Sequence, residues 1–162
     1  MRTHPAPKIV GPRDGKAGTL GSIGVRFLID GHEAGERLSL VEHPMSPRAL
    51  AAPLHRHTRE DEYSYVLEGR MGAQLGDAGV YAEVGDLVVK PRAQWHTFWN
   101  AGDGPCRILE IISPAGFEQF FAELGSAAAP PEAGARYGLE FDLASVPRLC
   151  AEHGLTFPMP GE

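Results

Sequence analysis

Short β-rich runs separated by Gly, Pro, Asp and Asn dominate the chain from about residue 8 to residue 113. The clearest runs cover residues 24–28, 38–41, 62–67, 80–84, 87–89, 94–99 and 107–112. Runs of this length between frequent turn residues are typical of an antiparallel sandwich or barrel. No helix-length amphipathic pattern interrupts them, so parallel βαβ units are not expected. This part of the chain is predicted to be all-β.

After residue 113 the apolar residues follow a helical spacing instead. Four of them recur at i, i+3, i+4 and i+7, which is one face of a short helix. They are Phe117, Phe120, Phe121 and Leu124. Val146 and Leu149 indicate a last helix, with Gly154 just past its end. We therefore predict a barrel domain over residues 1–113 and a short helical extension over 114–162 that packs on it. Within the extension, an Ala- and Pro-rich loop at 126–134 joins the two helices.

Composition and charge exclude several classes of partner. The formal net charge of −6 and the pI of about 5.6 argue against the basic surface of a nucleic-acid-binding protein. The first residues lead into no apolar signal core, and no apolar run is long enough to cross a bilayer. Cys106 and Cys150 have no metal-ligand spacing and suit a reducing compartment. We expect a cytoplasmic protein that binds neither nucleic acid nor membrane.

Three histidines and one glutamate form a candidate metal site. On a strand, His55 and His57 project to one face because residues i and i+2 share a face. A polar turn over residues 58–61 would return Glu62 beside them on the neighbouring antiparallel strand, and His96 would come from a separate strand. Such nitrogen and oxygen donors suit one divalent transition metal, and Fe, Mn, Ni, Cu and Zn all remain open.

The spacing of these residues closely resembles the two motifs of the cupin superfamily. The first motif is matched by His55, His57, Glu62 and Gly69, and the second by Gly85, Pro91, His96 and Asn100. Ala49 and Ala93 stand where the family motifs have Gly, which affects only local turn geometry. The resemblance implies a double-stranded β-helix, a jelly-roll barrel, with His55, His57, Glu62 and His96 as metal ligands.

A narrower resemblance, to small quercetin-dioxygenase-like proteins, implies a metal-dependent oxygenase that acts on a small oxygen-chelating enol, phenol or diketone. Glu62 would be the catalytic residue, because a carboxylate that loosens from the metal can serve as general base. A non-catalytic small-molecule binding or sensing protein and a metal-dependent isomerase or decarboxylase are the alternatives, since fold and ligand set leave the reaction open. The resemblance also implies a homodimer, to which outward-facing Trp95, Trp99, Tyr63 and Tyr65 could contribute.

Five further residues are candidate walls of a substrate pocket, on the basis of strand alternation and apolar character. They are Val66, Met71, Leu75, Gln94 and Phe98. Glu60 and Asp61 compete with Glu62 as ligands on composition alone, but the motif spacing selects Glu62 and turn solvation accounts for the other two. His43 has no partner spacing and is expected to be a surface or strand-end residue.

Overall fold

Two antiparallel sheets face each other in the computed structural model, which describes residues 6–126 and 132–158. The six-stranded sheet has, in spatial order, β1 (Ala17–Thr19), β2 (Gly24–Ile29), β3 (Ser39–Met45), β10 (Cys106–Ser113), β5 (Asp61–Glu68) and β8 (Leu87–Lys90). The five-stranded sheet has β11 (Leu139–Asp142), β4 (Leu54–His57), β9 (His96–Asn100), β6 (Arg70–Leu75) and β7 (Ala78–Glu83). The all-β prediction is confirmed, and each predicted run overlaps a strand.

The three helices follow or separate the last strands. They are α1 (Glu118–Ser126), α2 (Ala133–Arg136) and α3 (Ser145–His153). The predicted first and last helices are confirmed as α1 and α3, and Gly154 ends α3 with a left-handed φ of 64°. The predicted loop lies partly outside the described residues, at 127–131, and partly in α2. No helix among the described residues is long and apolar enough to cross a membrane.

The strand β11 was not predicted, because the sequence analysis assigned its residues to a helical extension. It pairs with β4 so that Leu139 lies opposite His57 and Phe141 lies opposite His55. The C-terminal part of the chain therefore completes a sheet, and it does so beside the two histidines of the first motif.

The sheets enclose one apolar core, and the C-terminal helices add two more clusters. Val66, Met71 and Ile108 are fully buried between the sheets. Phe117, just before α1, and Phe120, within it, pack in a second cluster of buried side chains from β2, β3, β10 and β11. A third cluster covers the outer face of β9, where α3 buries Trp99 and His153 stacks on its indole ring at 4.4 Å between centroids. Trp99 is thus a packing residue rather than an exposed one.

The structure shows how the two motif positions that lack glycine are accommodated. Ala93 adopts a left-handed φ of 66° in the turn before β9, so this position keeps the glycine-like conformation at a steric cost. Ala49 has no positive φ, and the left-handed residue of that turn is Arg48 instead, with a φ of 61°.

Candidate metal centre

The four predicted ligands lie together in the interior of the barrel. One nitrogen or oxygen atom from each of His55, His57, Glu62 and His96 lies within 4.8 Å of all the others, and all four side chains are buried. His55 and His57 come from β4, and His96 lies directly opposite His55 on β9. Glu62 comes from β5, which belongs to the other sheet. The prediction that Glu62 sits on the strand next to the histidines was therefore wrong, because the turn at 58–61 carries the chain across the barrel to the facing sheet.

Each imidazole ring is held by its Nδ1 atom, which leaves Nε2 for the centre of the cluster. His55 Nδ1 lies 2.8 Å from the carbonyl of Pro53, His57 Nδ1 lies 2.7 Å from Glu60 Oε1, and His96 Nδ1 lies 3.1 Å from the carbonyl of Gln94. Such partners fix the ring orientation and the tautomer, and ligating histidines in proteins usually have them. A neutral ring that donates from Nδ1 presents a lone pair at Nε2.

The convergent atoms have the chemistry and the spacing that a metal ion needs. His57 Nε2 and His96 Nε2 are buried without a hydrogen-bond partner among the described residues. They lie 3.2 and 3.4 Å from Glu62 Oε2. Bonds of about 2.1 Å to one ion place neighbouring donors about 3 Å apart. The donor set therefore fits a divalent transition metal, with Fe, Mn, Ni, Cu and Zn all compatible with nitrogen and oxygen ligands.

The electrostatics of the cluster favour an ionised carboxylate among the imidazoles. Burial alone would raise the pKa of Glu62, but the charges of His57 and Lys90 outweigh it and hold that pKa well below its ordinary value. Burial lowers the pKa of His55 well below its ordinary value, and the neighbouring His96 and His57 add to this. Burial also lowers the pKa of His57, but Glu62 and Glu60 outweigh this effect and raise that pKa to about 9. A metal ion must therefore displace a proton from His57.

Glu60 contacts the metal-ligand cluster, although turn solvation was expected to account for it. Its side chain is 5% exposed and contacts His57 from the side opposite to Glu62. Asp61 does face solvent and binds Arg92 through both carboxylate oxygens. The signal that could have identified Glu60 is a carboxylate three residues after a motif histidine, within reach of its outer ring nitrogen.

A buried ion pair lies behind the carboxylate ligand. Lys90 Nζ, with a fully buried side chain, is 2.6 Å from Glu110 Oε1 and 3.6 Å from Glu62 Oε2. The hydroxyl of Ser64 donates to Glu110 Oε2 at 2.6 Å. Lys90 also lies over the ring of Phe98, 4.7 Å from its centroid. The cluster is thus connected to a second set of polar groups on the inner face of the six-stranded sheet.

A pocket of about 730 Å³ ends at the cluster, with His55, His57 and Glu62 in its lining. The rest of its wall is largely apolar, and much of it comes from the C-terminal part of the chain. Phe117 meets the ring of His57 edge-on at 4.5 Å, and Phe141 lies 5.9 Å from the ring of His55. A concave apolar site with a few converging polar groups is the usual form of a small-molecule site.

Of the five residues expected to form the pocket walls, Phe98 lines this pocket. The structure places the others elsewhere. Val66 and Met71 are fully buried in the core between the sheets, Leu75 packs against that core, and Gln94 is exposed in the turn before β9. The inward faces of Val66, Met71 and Leu75 were predicted correctly, whereas Gln94 lies outside the strand. The inner face of a barrel divides into packed core and open pocket, and alternation does not distinguish the two.

His43 is neither a surface nor a strand-end residue, contrary to expectation. It lies within β3, is 1% exposed and lines the pocket. Strand alternation over β3 could have indicated this, because His43 shares the inward face with Val41.

Comparison with known proteins agrees with the geometry. Residues 42–112 match the family model described as Cupin domain. Three solved structures share the fold. KdgF from Halomonas sp. has a TM-score of 0.61 at 16% identity, over 70% of this chain and 99% of that one. A sugar phosphate isomerase from Silicibacter pomeroyi has a TM-score of 0.57 at 20% identity, over 66% of this chain and 75% of that one. A predicted oxalate decarboxylase from Thermotoga maritima has a TM-score of 0.54 at 19% identity, over 57% of this chain and 80% of that one.

These likenesses confirm the predicted double-stranded β-helix. No curated protein sequence matches the chain.

Proposed function

We propose that the protein is a metal-dependent enzyme of the oxygenase type, because residues 42–112 match the Cupin domain family model and the barrel interior brings together four side chains that could hold a metal ion. Its substrate would be a small enol, phenol or diketone that binds through oxygen. The observation that carries this proposal is the position of the cluster, at the inner end of an apolar pocket. A purely structural metal site would be closed, whereas catalytic sites keep positions open.

His55, His57, Glu62 and His96 would hold the metal. When bound, the metal would supply Lewis acidity toward a substrate oxygen. Glu62 is an ionised carboxylate that lines the pocket, so it can accept a proton from a substrate hydroxyl brought to the same point. The aromatic rings of Phe117 and Phe141 would exclude water beside the histidines and hold a flat substrate. Glu62 is therefore the proposed catalytic residue.

Isomerase and decarboxylase chemistry is the second candidate, because one neighbouring structure is a sugar phosphate isomerase and another a predicted oxalate decarboxylase. The pocket lining weakens this candidate. Over residues 6–126 and 132–158, no Lys or Arg lines the pocket, so a phosphate or a second carboxylate would have no cationic partner there. A non-catalytic binding protein is the third candidate, and only turnover separates it from an enzyme.

The first test is elemental analysis of tag-free protein purified without chelators. His96→Ala removes one ligand, and His32→Ala is the matched control because the His32 side chain is 85% exposed. We expect near-stoichiometric Fe, Mn, Ni, Cu or Zn in the wild type and in His32→Ala, and a clear loss in His96→Ala. Metal content that is unchanged in His96→Ala, or no metal after reconstitution, would contradict the proposal.

The reaction type is tested on the metal-loaded protein. Substrate-dependent oxygen uptake with enols, phenols or diketones is expected of an oxygenase, and its absence with Fe, Mn, Ni and Cu would refute that assignment. Product formation under strict anaerobiosis would identify an isomerase or decarboxylase instead. Binding without turnover beyond one equivalent would identify a binding protein.

We further propose that the protein is a cytoplasmic homodimer. Tyr65, Leu87 and Val89 are between 40% and 52% exposed on the outer face of β5 and the edge strand β8. An apolar patch on an edge strand is a typical contact between protein chains. Both cysteines are free, which suits a reducing compartment. Sedimentation as a monomer at micromolar concentration would refute the dimer.

A further inference from the structure

One wall of the pocket carries two buried polar side chains that the metal cluster does not use. His43 on β3 and Glu110 on β10 are each 1% exposed, and both line the pocket. In the register of the two strands, Glu110 lies opposite Val41 and Ile108 lies opposite His43. The two side chains are therefore diagonal neighbours on the inner face of one sheet. Burying polar groups costs free energy unless they find partners, which points to a role for them.

His43 presents an unpartnered acceptor. Its Nδ1 lies 2.9 Å from the carbonyl of Gly24, and a carbonyl only accepts, so Nδ1 carries the proton. Burial lowers the pKa of His43 although Glu110 opposes this, and the ring is therefore neutral with a lone pair on Nε2. Nε2 has no hydrogen bond or ion pair within the described part of the chain. The ring is oriented by Phe121, which meets it edge-on at 5.1 Å.

Glu110 adds a second acceptor beside it. One carboxylate oxygen receives the hydroxyl of Ser64, and the other lies against the ammonium group of Lys90. The ion pair balances the charge of Glu110, yet a carboxylate oxygen can accept more than one hydrogen bond. Lys90 does not line the pocket, whereas Glu110 does. A ligand in the pocket therefore meets acceptors on this wall.

Along this wall, His43 lies away from the metal cluster, whereas Glu110 lies close to it, because Lys90 contacts both Glu110 and Glu62. Glu62 is opposite Ile112, whereas His43 is opposite Ile108. These positions are four residues apart on β10, which corresponds to about 13 Å of strand. Between the two ends, the lining is aromatic, with Phe98 and Phe117 among its members. A ligand that reaches both ends must be apolar in the middle.

We propose that His43 recognises a hydrogen-bond donor, a hydroxyl or amino group, at the end of the ligand remote from the metal cluster. The ligand class is thus an aromatic chelator with a second donor at its far end. A remote carboxylate or phosphate has no hydrogen to donate to the lone pair of His43, so this end of the pocket favours a donor group instead. This inference rests on the proposed function only for the near end of the ligand, which the metal would hold.

The test compares probes that differ only at the far end. The parent probe is 3-hydroxy-2-naphthoic acid, which has a chelating head and a flat apolar body. The donor probes are its derivatives with a second hydroxyl at ring position 5, 6 or 7, and the methyl ether of that hydroxyl removes the donor but keeps the bulk. Affinities are measured by fluorescence titration of the Zn²⁺-loaded protein. We expect at least one donor probe to bind about tenfold more tightly than the parent and than its own methyl ether.

Variants assign the preference to the wall. His43→Phe should reduce the donor preference, the ratio of donor-probe to parent-probe affinity in the same protein, to about twofold or less. His43→Gln supplies an amide oxygen and should retain part of the preference, which keeps the test valid if His43→Phe fails to fold. His32→Phe, at an exposed position, is the matched control.

The outcomes separate this inference from the proposed function. A donor preference that persists in His43→Phe, or no preference in the wild type, would overturn the acceptor wall while metal-dependent binding of the parent probe still supported the metal centre. A donor preference seen equally in metal-free protein would support the wall and count against the metal as the near-end anchor. If no probe binds the metal-loaded protein, the aromatic chelator class is wrong.

Discussion

Glu60→Gln is the perturbation that most directly tests how the metal centre is built. Glu60 Oε1 lies 2.7 Å from His57 Nδ1, and both side chains are buried. The amide of Gln keeps the shape and an acceptor oxygen, so the substitution removes mainly the negative charge. A metal at Nε2 requires a neutral His57 that donates from Nδ1, and the carboxylate of Glu60 strengthens that donation.

The magnitude follows from the kind of hydrogen bond that is exchanged. A hydrogen bond to a charged partner contributes about 1.5–3 kcal/mol, whereas a neutral one contributes about 0.5–1.5 kcal/mol. The difference of roughly 1–1.5 kcal/mol corresponds to about a tenfold loss of metal affinity. This lies at the lower end of the roughly 10- to 100-fold losses seen when the outer partner of a ligating histidine is removed.

The assay is competition for Zn²⁺ between metal-stripped protein and a chromophoric chelator, measured over a range of pH. The pH-independent affinities are compared, because Glu60 also raises the pKa of His57 and so increases proton competition near neutrality. Asp61→Asn is the matched control, because it removes the next carboxylate in the chain, which binds Arg92 rather than a histidine. We expect the loss in Glu60→Gln and wild-type affinity in Asp61→Asn. Affinity of Glu60→Gln within about twofold of wild type, or an equal loss in both variants, would refute the role assigned to Glu60.

Two further predictions concern stability. Gly72→Ala would place a Cβ 2.2 Å from Nε1 of the buried Trp99, so this overpacking should cost about 1–3 kcal/mol of folding free energy. Gly79→Ala is the control, because a Cβ there meets nothing within 4 Å and should not lower the stability. Equal melting temperatures of the two variants would contradict this prediction. Burial alone would raise the pKa of Glu42, but two arginine guanidinium groups outweigh it and lower that pKa. Because the pKa of Glu42 is lower in the folded protein than in the unfolded chain, the ionised carboxylate stabilises the fold at pH values above the unfolded pKa. This stabilisation is lost as the pH falls through the folded pKa. The melting temperature of wild type should therefore exceed that of Glu42→Gln at neutral pH and approach it in acid; a gap that is constant with pH would contradict this.

The donor set of the metal centre could be predicted because it depends on local geometry. His55 and His57 are two residues apart on one strand, so alternation alone directs both to one face. The chemistry of imidazole and carboxylate then limits the metal. The ends of α3 were likewise predictable, since Gly154 adopts the left-handed conformation that terminates a helix.

The partners of these residues were not predictable from neighbouring sequence. Glu60 looked like a solvated turn residue, and only the packing of the turn against the barrel buries it. The strand β11 pairs Leu139 with His57, and residues so far apart in sequence meet through tertiary folding rather than local propensity. The same folding brings Phe117 against the ring of His57.

The sequence by itself therefore determined which side chains can bind a metal and that the chain forms strands rather than parallel βαβ units. Only the tertiary structure decided that Glu62 faces the histidines from the opposite sheet, that His43 lines a pocket, and that Val66 does not. The physical reason is that alternation along a strand specifies a face, while the sheet a strand joins and the space left in front of it depend on contacts between residues far apart in the chain.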